Sequence, residues 1–253
     1  MLLVLLMLVS GKVLALDAWD GLLKQYVKGP TVDYAGLCKD AQWPAALAEY
    51  NGIDPKSLSA DDRLAFWLNL YNLYDVKIVC DHYPLKNLNQ LHGGGLIFAA
   101  LMGRTVWDKQ KVSVGGQNIS LKDVDHAIIK KEFDQPLSQF GLFCGSRYCP
   151  PLRNEVYDGK RVKEQLADQA KDFFSDDFLN RFDVNTKTAT ISPIMDWNKG
   201  AFGASNMSDV LRIMADYFPA PASVSIKADP GSWKVQFSHY DLEVNDASQT
   251  TGK

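Results

Sequence analysis

Residues 59–80 read SADDRLAFWLNLYNLYDVKIVC, and this stretch decides the fold. Ser59 stands three places ahead of Asp62 at the start of an apolar run, the spacing of a capping box, so a helix should open there. From Arg63 to Cys80 apolar side chains occupy nearly every face, whereas a surface helix would show a single buried stripe. The segment is therefore expected to be a central helix packed on several sides. Asn69 and Asn72 interrupt it, and a buried amide must find a hydrogen-bond partner.

On the N-terminal side, Trp19, Leu22, Leu23 and Tyr26 recur at helical spacing before Gly29-Pro30, and Ala45 to Tyr50 reads as another helix stopped by Asn51-Gly52. On the C-terminal side, Tyr83-Pro84 ends the central helix and His92-Gly93-Gly94-Gly95 forms a loop before Leu96. Val112 to Val114 and Asn118 to Leu121 flank Gly115-Gly116, a two-residue hairpin signal. Ser120 then caps a helix running through His126 to about Glu132. Leu137 to Phe143 is expected to be a buried strand, Glu164 to Phe174 an amphipathic helix, and Thr188 to Ser192 a short strand. Asp209 to Tyr217 closes the series of helices, and Val224 to Lys227 and Lys234 to Phe237 read as strands about Asp229-Pro230-Gly231. Helices outweigh short, partly hairpin-linked strands, which gives an α+β class. Neither a repeat nor a linker is visible, so residues 16–253 are read as one domain.

The 253 residues are 46% apolar and 23% charged, the balance of a folded globule. Lys and Arg total 27 against 30 for Asp and Glu, so no basic footprint for nucleic acid exists. The opening Met1 to Val9 is an apolar run too short to span a membrane, and Val13-Leu14-Ala15 fits a signal-peptidase site. Residues 1–15 are accordingly read as a signal peptide, with export to the periplasm or medium. A buried N-terminal element of a cytosolic protein is the other reading, since no Lys or Arg precedes the run. No transmembrane span is expected.

Chemistry concentrates at Phe143-Cys144-Gly145-Ser146-Arg147-Tyr148-Cys149-Pro150-Pro151. Phosphate-loop, dinucleotide and G-x-S-x-G signatures are absent. A thiol attacks only as thiolate, and Arg147 and His126 are the available sources of positive charge or base. His126 should be partly buried, with its tautomer set by a neighbour, and Asn69 or Asn72 could orient it. Each residue also has a bland reading. Cys144 and Cys149 can be a disulfide, His126 a satisfied core residue, and Asn69 and Asn72 clamps on irregular backbone. Cys38 and Cys80 are core thiols or a second bridge. Cys144, Cys149 and His126 lack the spacing of a metal set, so no metal or cofactor is expected.

AFWLNLYN at 65–72, SLKDVDHAII at 120–129, CGSRYCPPL at 144–152, SPIMDWNKGAFG at 192–203 and HYDLEVND at 239–246 together resemble the serial motifs of the domain of unknown function family numbered five-four-seven. YVKGPTVDY, ending at Tyr34, extends the likeness to about 17–246. The resemblance marks Asn69, Tyr71, Asn72, Asp125, His126, Cys144, Ser146, Cys149, Pro150, Pro151, Trp197, Phe202, Tyr240, Asp241 and Asn245 as hallmarks. Members read as intracellular carry the same two cysteines, which argues against a purely disulfide role. The chain departs from the family at Ala201, where an acidic residue is usual, and at Leu242-Glu243-Val244, where Trp-Ser-Leu is usual.

Two functional expectations follow. The first is an envelope thiol enzyme of acyl-transfer type, an amidase, peptidase or transglutaminase-like protein. In it Cys144, or alternatively Cys149, is the nucleophile, His126 the general base, and Asn69 or Asp125 the orienting group. Backbone N–H groups at Gly145 and Ser146 would face the oxyanion. Tyr71, Asn72, Arg147, Trp197, Tyr240 and Asp241 would contact a peptide, amide or glycan. Histidine precedes cysteine, which a permuted cysteine-peptidase fold would accommodate. The second expectation is a non-catalytic envelope module that binds such a ligand, with Cys144 bridged to Cys149.

Overall fold

A computed structural model describes residues 16–252. The expected signal peptide lies outside the described residues. The central helix spans Ala60–Asp81. Its N-terminus forms as the sequence requires: the Ser59 hydroxyl accepts the Asp62 backbone N–H at 3.2 Å and lies 2.6 Å from the Asp62 carboxylate. Side chains on all its faces are buried, from Leu64 to Val79. The helix is thus the axis of the larger hydrophobic core, as apolar residues on nearly every face implied.

Around it pack Trp19, Leu22 and Leu23 of the Asp17–Tyr26 helix, and the inward side chains Val112 and Val114 of a hairpin. The hairpin pairs Lys111–Val114 with Gln117–Ser120, antiparallel. Gly115 and Gly116 take φ of +57° and +77°, the left-handed pair that a two-residue connection between twisted strands demands. A second core gathers Phe140, Phe173, Phe174, Phe202, Leu211, Met214 and Ile226. The Val162–Ser175 helix joins the two, giving Val162 and Leu166 to the first and Ala170, Phe173 and Phe174 to the second. The fold is a single α+β domain.

The largest sheet has three strands. Arg181–Asp183 lies antiparallel to Thr188–Ile191, which runs parallel to Lys234–Phe237. A parallel pair needs a long crossover, and residues 192–233 supply it.

Two expected strands are not strands. Residues 136–141 form a 3₁₀ turn, Pro136–Gly141, entered through proline. At its end the Gly141 carbonyl and the Phe143 N–H bond to the Asn72 side chain instead of a ladder. Val224 to Lys227 belongs to the helix Ala220–Ala228. The alternation Ser-Val-Ser-Ile suggested a strand, but Ala222, Ser223 and Ile226 are the buried positions and Val224 faces solvent, which is a helical stripe.

The helical segment after the hairpin runs from Leu121 to Glu132, with a π-helical middle at Val124–Ile129. Ser120 caps it, accepting the Asp123 N–H at 3.1 Å. Ser120→Ala is expected to cost about 1 kcal/mol by chemical denaturation, since it removes that cap. A change under about 0.3 kcal/mol would mean the hairpin alone fixes the helix start.

Candidate functional site

The turn at residues 144–149 is fixed from two directions. From the central helix, the Asn72 side-chain N–H donates to the Gly141 carbonyl at 2.9 Å, and its oxygen accepts the Phe143 N–H at 3.0 Å. From the C-terminal segment, Asn245 N–H donates to the Gly145 carbonyl at 3.2 Å and the Arg147 N–H donates to the Glu243 carbonyl at 3.0 Å. The Ser146 hydroxyl donates to the Asp241 carbonyl at 3.1 Å and accepts the Tyr148 N–H at 3.1 Å. Gly145 adopts φ +71°, a conformation that side chains other than glycine rarely take.

Within this frame Cys144 and Cys149 are bonded to one another, and Cys38 is bonded to Cys80. Among the described residues no cysteine is free. The thiol nucleophile expected at Cys144 or Cys149 is therefore not present in this structure, because each sulfur has its partner five residues away.

The bridge and His126 nevertheless share one cleft of about 760 Å³. Cys144, Cys149 and Pro150 line it together with Tyr71 and Tyr240. The Tyr240 hydroxyl lies 3.7 Å from the Cys149 sulfur, and Trp197 meets the Tyr240 ring edge-on at 4.7 Å between centroids. Burial pushes the Tyr240 phenol well above its usual range. One wall carries Lys122, Asp125, His126 and Lys130. His126 Nε2 is 3.4 Å from the Asp125 carboxylate, which also pairs with Lys130 at 3.1 Å, while Lys122 pairs with Asp108 at 2.9 Å. Each acid on this wall has its lysine, so the wall carries little net charge. His126 was expected to be partly buried, but its side chain is 59% exposed, because Val124 and Ile129, not His126, take the inward face. Partial desolvation outweighs the Asp125 carboxylate and holds the imidazole below its usual pKa.

A lip of the cleft is formed by the helix Leu96–Leu101, which follows Gly94 and Gly95 at φ +83° and +84°. Ile97 and Leu101 on it are 79% and 81% exposed although they border the cleft.

Asp75 of the central helix is 2% exposed. Its Oδ1 accepts the Trp107 indole N–H at 2.6 Å. Its Oδ2 would lie 3.4 Å from a Cβ added to Gly145, which places the carboxyl against the turn. Burial drives its pKa up to about 8, against the opposing effect of the indole hydrogen bond. The sequence reading missed Asp75, although Asn69, Asn72 and Asp75 form one row of polar residues three apart on an apolar helix.

Asn69 does not reach the cleft. Its amide donates to the Tyr157 carbonyl and accepts the Tyr157 N–H, both at 2.8 Å. Arg147 turns away too, pairing with Asp176 at 2.7 Å and lying 4.3 Å over the Phe178 ring. Asp241 accepts the Asn87 side-chain N–H at 2.9 Å and the Leu242 N–H at 2.6 Å. Asn72, Gly145, Ser146 and Asp241 thus build the turn, while Tyr71, Trp197, Tyr240, Asp125 and His126 face the cleft with the cysteines. Leu242 and Val244, at the positions where the resemblance gives Trp-Ser-Leu, are buried, and Val244 pairs with Ser146 of the turn. No three His, Cys, Asp or Glu side chains among the described residues converge as a metal set.

Residues 55–174 match a family model described as a protein of unknown function, DUF547. The chain resembles that family across the central helix, the His126 segment and the cysteine turn; Trp197, Tyr240 and Asp241 lie beyond the matched span. No curated protein and no solved structure matches.

Proposed function

We propose that this protein is an exported binding module whose cleft holds an extended polypeptide segment with apolar side chains. The observation that carries this reading is the lip: Ile97 and Leu101, with Trp197 at 58% exposure, border one cleft as large exposed apolar side chains. Large apolar side chains left exposed around one cleft mark an interaction surface. The paired charges among the cleft-lining residues favour a neutral, apolar segment over a strongly charged one. Two disulfides and the apolar N-terminal run support an oxidising compartment outside the cytosol.

The test is fluorescence anisotropy with a labelled unstructured peptide rich in Leu and Phe, against a Gly/Ser peptide of equal length. Leu101→Asp should weaken binding of the apolar peptide about tenfold while the fold is kept, because it places a charge where about 1.4 kcal/mol of apolar contact is expected. Equal binding of both peptides, or of variant and parent, would refute the reading.

Acyl transfer retains one observation in its favour, the shared cleft of His126 and the two sulfurs. It requires the bridge to open first. In that case a reduced sample should acylate at Cys144 in a manner dependent on His126.

A further inference from the structure

The two disulfides differ in what they hold. Cys38–Cys80 ties residues 42 apart, whereas Cys144–Cys149 closes a loop of residues only five apart. A bridge stabilises chiefly by closing a long loop in the unfolded chain, so the second contributes little by that route. Its backbone is also held independently. Asn72, Asn245, Glu243 and the Ser146 hydroxyl fix residues 141–148 through hydrogen bonds in which no sulfur takes part. Opened, the turn would still present both thiols side by side. Both cysteines line the cleft; Cys144 is partly exposed there, whereas Cys149 is only 6% exposed.

We propose that Cys144–Cys149 is a thiol–disulfide exchange centre that oxidises a dithiol, such as a cysteine pair in a polypeptide lying in the cleft. The proposal goes beyond the binding reading and does not depend on it. Cys144, the less buried of the two, receives the attack. A substrate thiolate bonds to the Cys144 sulfur, the Cys144–Cys149 bond breaks, and its electron pair passes to the Cys149 sulfur, which takes a proton. The substrate's second thiolate then attacks its own sulfur in the mixed disulfide. Cys144 leaves with the electron pair and is protonated. The protein has gained two electrons and two protons, and the dithiol has lost them. A low-molecular-weight disulfide reverses the sequence and restores the bridge.

The surroundings suit these steps. The Tyr240 hydroxyl, 3.7 Å from the Cys149 sulfur, can donate to the thiolate that leaves there. Asp75 under Gly145 remains protonated at neutral pH, so no carboxylate charge opposes a thiolate in the turn.

The full folded chain would be incubated with a reduced synthetic peptide carrying two cysteines, with oxidised glutathione in excess. Oxidation should run at least about tenfold faster than with oxidised glutathione alone, and fall to background in Cys144→Ser/Cys149→Ser. Tyr240→Phe should be several-fold slower than the parent. A parent at background, or a double variant as fast as the parent, overturns the proposal. A second measurement does not depend on that variant folding. Dithiothreitol without denaturant should open Cys144–Cys149 while the circular dichroism spectrum stays native, and a bridge that opens only as the chain unfolds also overturns it. Retained binding of a cysteine-free apolar peptide in either case keeps the two proposals separate.

Discussion

Asn72→Ala is expected to be among the most destabilising single changes in the molecule. The amide satisfies the Gly141 carbonyl and the Phe143 N–H, where the chain passes from a 3₁₀ turn into the cysteine turn with no ladder available. Alanine leaves both groups buried without that partner, and each such orphan costs roughly 1–3 kcal/mol, so the loss should be about 2–6 kcal/mol. Asn69→Ala removes the equivalent clamp on Tyr157 and should fall in the same range of about 2–6 kcal/mol. Urea denaturation of both variants checks this. A loss under about 1 kcal/mol at Asn72 would show that water or a backbone shift replaces the amide.

The second large effect is a slope in pH. In the unfolded chain Asp75 should ionise near 3.9, the ordinary aspartate value, whereas in the fold it does so at about 8. Between those values the folded state binds one proton more than the unfolded state. Stability contributed by this group is therefore fully present below pH 4 and is lost as pH rises toward 8, at about 1.4 kcal/mol per pH unit in the middle of that window. Asp75→Asn keeps an oxygen for the Trp107 indole and removes the titration. Unfolding free energies measured at pH 5 and pH 7 should diverge between parent and variant by about 3 kcal/mol, with the variant gaining on the parent at the higher pH. Parallel curves would mean that Asp75 is already ionised in the folded protein at neutral pH.

The central helix could be read from residues 59–80 because burial on all sides leaves a continuous apolar run with a cap at one end. The hairpin was legible because two glycines with positive φ sit between alternating strands. Leu137 to Phe143 was misread for a physical reason: a side chain from another element supplies the hydrogen bonds that a strand would take from its neighbour, and no local pattern records that. Sequence proximity and turn chemistry brought Cys144, Cys149 and His126 into one hypothesis, and the fold places them around one cleft. Exposure was harder to judge. His126 points outward because the π-helical segment directs Val124 and Ile129 inward, and an offset of that kind is invisible in a 3.6-residue period. The sequence reading assigned no role to Ile97 or Leu101, since apolar composition alone cannot distinguish buried from exposed. Ser146, which the resemblance singles out, holds the turn in shape, and side chains that shape a site and those that meet its ligand look alike in a motif.

Exchange at the cysteine turn depends on the state of two sulfurs. Protein purified without reductant from an oxidising compartment should be denatured in iodoacetamide, digested with trypsin and weighed. Cleavage at Arg147 separates Cys144 from Cys149, so residues 132–147 should emerge joined to residues 148–153 through sulfur, with neither peptide alkylated. Two separate peptides, each carrying the label, would show free thiols in the cleft and contradict the bridged turn.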